Sequence, residues 1–164
     1  MPDDTDRIRK QAVLDAPLER AWQAIGDPQR FGTWFGVELD GPFVPGTRVT
    51  GRIVPTQVDP GVALTQEPYT GMPCDLEIER VEPPRLLSFR WHPGAPGPDV
   101  DTSAEAMTLV EFELAQAAGG GTALTITESG FDRLPPDRRA EAYASNEGGW
   151  EAQLELVAKY LAQA

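Results

Sequence analysis

Only one cysteine, one histidine and 14 basic residues occur in this chain of 164 residues, and no apolar run approaches membrane-spanning length. Each shortage removes a class of function. A lone Cys74 cannot form an internal disulfide, and a lone His92 leaves no Cys/His cluster with the spacing of a zinc site. Against the 14 basic residues stand 26 acidic ones, a formal charge of −12 that repels phosphate backbones and anionic headgroups. The densest basic cluster, Arg133, Arg138 and Arg139, is interleaved with Asp132, Asp137 and Glu141 and reads as a solvated helix face. Nucleic acid and membrane are therefore not expected partners. Met1 to Lys10 is polar, without the basic flank and apolar stretch of a signal peptide, so the expectation is a cytoplasmic protein.

What is present fits one domain over residues 1–164, with an ordered core from residue 7 onward. Arg7 to Leu14 alternates as a strand. Pro17 then opens a helical repeat of Leu18, Ala21, Trp22 and Ile25, and Gln29 to Phe35 forms a second short helix after the Gly26-Asp27-Pro28 break. From Val37 the apolar period becomes two, in six segments: 37–39, 49–53, 76–78, 87–91, 110–114 and 124–126. Gly41-Pro42, Pro45-Gly46, Pro83-Pro84 and Gly119-Gly120-Gly121 punctuate them as turns, which favours an antiparallel meander of about seven strands. A last amphipathic helix is expected to start at Asn146 and to bury Trp150, Leu154, Val157 and Leu161. The fold class is thus α+β, a curved sheet wrapped on one long C-terminal helix. Two Pro/Gly-rich stretches, 55–73 and 92–101, read as long loops; loops of that length often act as lids, and a disordered excursion is the alternative.

The succession of strand, two short helices, six strands and long helix resembles the helix-grip superfamily called START-like or SRPBCC, which includes the birch pollen allergens. Trp22 and Ile25, Phe31 and Trp34, the hairpin from Arg80-Val81-Glu82-Pro83-Pro84 to Leu87-Ser88-Phe89-Arg90-Trp91, and Thr108 to Phe112 carry the likeness. So do Gly121-Thr122, Thr127-Glu128-Ser129-Gly130-Phe131 and Asn146-Glu147-Gly148-Gly149-Trp150. These are similar to the bacterial branch named for the activator of the heat-shock-protein-ninety ATPase. The resemblance implies an apolar small-molecule cavity between sheet and helix, and it implies no particular reaction.

By alternation Phe89 and Trp91 face the last helix, Val110, Phe112, Leu124 and Ile126 form the opposing wall, and Trp34, Trp150 and Leu154 close it; any one of them can equally be simple core. Glu128 continues the inward face of its strand, where a carboxylate is costly without partners and can serve as polar anchor or as general acid or base. Its place at the strand end favours a plainer role, paired with an arginine or capping the turn at Gly130. His92 shares a face with Ser88 and Arg90, away from Phe89 and Trp91, which points it to solvent or to a loop. Cys74 has no neighbouring base and reads as a small apolar filler. No cofactor is called for. Binding of a hydrophobic or aromatic small molecule leads. A cyclase or aromatase acting through Glu128 comes second, and a stress-response or co-chaperone partner, suggested only by the branch name, last. Self-association through a sheet edge is left open by the sequence.

Overall fold

A computed structural model describes residues 6–93 and 106–163. The chain begins with strand β1 (Arg7–Leu14) and two helices, α1 (Leu18–Gly26) and α2 (Pro28–Phe35). Asp27 separates the helices: its carboxylate accepts from the backbone N–H of Gln29 at 2.9 Å, and Pro28 takes the first helical position, so one residue ends α1 and caps α2. Gly36, at φ 92°, ends α2 in a left-handed conformation that a side chain resists. The Trp34 indole donates to the Ala24 carbonyl at 2.8 Å and locks the two helices together.

The remaining strands are β2 (Val37–Leu39), β3 (Arg48–Val49), β4 (Gly51–Ile53), β5 (Leu76–Glu82), β6 (Leu86–Trp91), β7 (Thr108–Gln116) and β8 (Thr122–Ser129). Six of the eight form one antiparallel sheet in the order β1-β8-β7-β6-β5-β3, while β2 and β4 pair separately. The expected single segment 49–53 is therefore two strands: Val49 belongs to the large sheet and Gly51 to the small one. An irregularity in register between Ile78 and Arg80 adds local bend to β5. Cross-strand pairs put Phe112 opposite Leu87 and Ile126, and Glu128 between Val110 and Ile8. One face of the sheet is consequently a continuous apolar wall.

Helix α4 (Pro136–Gln163) covers that wall with Ala142, Trp150, Leu156, Val157 and Leu161 buried. It begins ten residues before the expected start at Asn146. Pro136 and the Arg-Ala-Glu-Ala stretch suit a helix, and Gly148-Gly149, which resembles a break, lies inside it. Tyr143 donates to the Arg7 carbonyl at 3.0 Å, Lys10 pairs with Glu151 at 2.8 Å, and Gln163 donates to the Val58 carbonyl at 3.2 Å, so β1 and the 55–73 segment both fix the helix.

The 55–73 segment is not an irregular loop. Asp59 caps helix α3 (Pro60–Gln66), its carboxylate accepting from Gly61 and Val62 and pairing with Lys159 of α4. Gln66 accepts from the Thr56 backbone at 2.7 Å and donates to the Phe35 carbonyl at 3.2 Å. Of the 92–101 loop only His92 and Pro93 fall among the described residues.

Candidate functional site

Glu128 is completely buried on the apolar wall, and its two oxygens each accept two hydrogen bonds. Oε2 receives the Trp91 indole at 2.7 Å and the Thr108 hydroxyl at 2.5 Å; Oε1 receives the Trp150 indole at 2.7 Å and the Asn146 amide at 2.8 Å. The secondary structure explains the convergence. Trp91 and Thr108 are paired across β6 and β7, and Asn146 and Trp150 sit four residues apart on one face of α4. Sheet and helix are thus pinned through one side chain. The strand-end reading of Glu128, paired with an arginine or capping at Gly130, is overturned: its partners are two indoles, a hydroxyl and an amide, all neutral. Asn146, expected to cap a helix, spends its amide on Glu128 within one.

The two indoles lie stacked, centroids 5.7 Å apart and planes 29° from parallel, and Phe35 stands 6.0 Å from each. Above this aromatic floor is a cavity of about 200 Å³ lined by Phe35, Trp91, Trp150, Ser145, Asn146, Gly149 and Gln153. Gln153 donates to the Phe35 carbonyl at 3.1 Å and so holds α4 to the end of α2 beside the cavity.

This position differs from the expected one. Of the ten residues proposed for a binding cavity, Trp91 and Trp150 line it and Glu128 lies behind them. Trp34, Phe89, Val110, Phe112, Leu124 and Ile126 are fully buried in the packed core, and Leu154 is half-buried off the lining. The middle of the grip is filled; Phe31 alone makes edge contacts with Trp34, Phe89 and Phe112. Phe35, Ser145, Asn146, Gly149 and Gln153 were missed as lining. One local signal bore on Gly149: a glycine inside an amphipathic helix leaves empty the place that another residue's side chain would take.

Methyl groups built at Gly148 and Gly149 meet nothing within 4 Å, yet each glycine costs a helix roughly 1 kcal/mol relative to alanine. Gly148→Ala is expected to raise stability by about 0.5–1 kcal/mol without changing the cavity. Gly149→Ala should raise it similarly while narrowing the cavity it lines. Urea denaturation of both variants checks the pair, and a loss of stability in either contradicts the open space seen here.

His92 is half-buried, its Nδ1 without a hydrogen-bond partner among the described residues, and is not on the cavity. Burial, helped by the neighbouring Asp75, pushes the Cys74 thiol up to about 12, in keeping with a filler role. Cys74 should react with iodoacetamide at pH 8 roughly a thousandfold more slowly in the native than in the denatured chain. A native rate within tenfold of the denatured one contradicts that. Among the described residues no group of three or more acidic, Cys or His side chains is placed to hold a metal, and no helix is long and apolar enough to cross a membrane.

The chain was compared with known proteins. The family described as "Activator of Hsp90 ATPase homolog 1-like protein" matches residues 15–162. A crystal structure of a Mesorhizobium loti protein superposes with a TM-score of 0.70 at 23% identity, over 96% of this chain and 98% of that one. A Bordetella parapertussis protein matches with a TM-score of 0.66 at 26% identity, over 99% of this chain and 78% of that one. DynU16, from the dynemicin biosynthetic locus, matches with a TM-score of 0.66 at 28% identity; 98% of this chain aligns with 48% of its length. No curated protein matches.

Proposed function

The chain belongs to the Activator of Hsp90 ATPase homolog 1-like family, whose helix-grip fold commonly binds ligands, and from that premise we propose that it binds a small aromatic or apolar molecule in the cavity over Trp91 and Trp150. One observation carries the reading: an unfilled space of about 200 Å³ opens beside the packed core, floored by three aromatic rings and edged by neutral polar groups of α4. That combination of apolar walls and few polar groups is typical of small-molecule sites. An apolar cavity of about 150 Å³ holds a benzene molecule, so the space suits a one-ring or compact two-ring ligand.

The geometry favours binding over catalysis by Glu128. Both carboxylate oxygens are already occupied by two donors each, and the side chain is sealed from solvent. A general base needs a lone pair facing its substrate. Among the described residues the polar side chains on the lining are those of Ser145, Asn146, Gln153 and the Trp indoles.

Thermal-shift titration with indole, 1-naphthol and benzyl alcohol, with native mass spectrometry of the freshly purified protein, tests the reading. A ligand at a hundredfold its Kd stabilises the fold by about 2.7 kcal/mol. A saturable rise in melting temperature is expected for at least one of the three, lost in Gly149→Leu, whose side chain fills the open space. No rise at millimolar concentration and no co-purifying mass would overturn the proposal.

A further inference from the structure

Among the described residues the seven around the cavity include no charged side chain, and Glu128 lies behind the indoles of Trp91 and Trp150. Its two oxygens meet two indole N–H groups, the Asn146 amide and the Thr108 hydroxyl. None of these four partners of Glu128 is cationic. Both indole N–H groups point at it, which polarises the two rings and makes their faces more negative. Outside, Glu147 and Glu151 are exposed on another side of α4, Glu151 paired with Lys10, on a chain of net charge −12.

We infer that the cavity selects by charge and that its occupant is a small organic ammonium ion, an amine or quaternary ammonium on a short apolar or aryl body, seated on the faces of Trp91 and Trp150. The inference rests on the binding reading above and adds the ligand's charge. A cation over an indole face is attracted by the ring quadrupole, and the attraction grows where water is excluded. An anion of the same shape meets those negative faces, with Glu128 behind them and no basic side chain on the lining. The net charge of −12 raises the concentration of cations around the protein and lowers that of anions.

A matched series decides it. Benzylammonium, benzyl alcohol and benzoate share a ring and differ in charge; each is titrated into the wild-type protein at pH 7 in low salt. Tryptophan fluorescence and the indole N–H resonances of Trp91 and Trp150 report binding. Benzylammonium is expected to bind about tenfold tighter than benzyl alcohol, with benzoate weaker still, and both indole resonances should move. Equal affinities for amine and alcohol, or a preference for benzoate, would overturn the charge selection while leaving a binding cavity. Absence of binding by all three overturns both readings. Benzylammonium binding that leaves the two indole resonances unmoved, or that persists in Gly149→Leu, locates it on the acidic surface and also overturns the inference.

Discussion

Glu128→Ala is expected to lower the stability of the fold by about 3–5 kcal/mol, because it strands two indole N–H groups, a hydroxyl and an amide in a sealed interior. For a chain of this size that is a fall in melting temperature of roughly 10 °C or more. Glu128→Gln should cost less, about 2 kcal/mol, since one oxygen is kept while the new NH₂ confronts an indole N–H that cannot accept, beside a hydroxyl or amide that can reorient to accept. The loss has a spectroscopic mark: Trp91 and Trp150 lose a shared partner, so near-UV circular dichroism should change more than in a surface variant. Urea denaturation of both variants tests the account. A Glu128→Ala variant within 1 kcal/mol of wild type would mean that the four hydrogen bonds are not made in solution.

Trp34 separates core from cavity. Its ring is fully buried, in edge contact with Phe31 and Phe35, and its indole holds the Ala24 carbonyl. Trp34→Ala is expected to cost about 3–5 kcal/mol, the range for emptying a large aromatic site. Trp34→Phe keeps most of the packing and should cost about 1–2 kcal/mol, chiefly by leaving that carbonyl without its donor. Ligand affinity in Trp34→Phe should match wild type, since the residue is not on the cavity lining. A large change in affinity with unchanged stability would return Trp34 to the binding role that its aromatic character suggested. The two measurements together distinguish residues that form the fold from those that face an occupant.

Why the aromatic set divided as it did follows from geometry that periodicity lacks. Alternation correctly placed Phe89, Trp91, Val110, Phe112, Leu124, Ile126 and Glu128 on one face of the sheet, because side chains in a strand point to opposite sides at every step. Whether a space remains above a given member depends on what descends from the other layer. Phe31 of α2 fills the space over Phe89 and Phe112, whereas Gly149 of α4 leaves space near Trp91 and Trp150. On α2 the neighbours Trp34 and Phe35 lie about 100° apart around the helix, so one enters the core and the other lines the cavity.

The long helix makes the same point. Local signals placed its start at Asn146, a good capping residue ahead of two glycines, but the helix runs through them because Ala142 and Trp150 bury on either side. The Asn146 amide then serves Glu128 rather than a helix end.

By itself the sequence determined the α+β class, the succession of its main elements apart from α3 and the division of 49–53, the antiparallel pairing and the inward face, since these depend on periodicity, turn residues and neighbours along the chain. Only the tertiary structure decided that Glu128 is an enclosed acceptor of four donors, that the middle of the grip is filled, and that the open space lies over Trp91 and Trp150. Those outcomes depend on residues from β6, β7, β8, α2 and α4, up to 118 residues apart in the chain between Phe35 and Gln153, meeting at distances that no local pattern encodes.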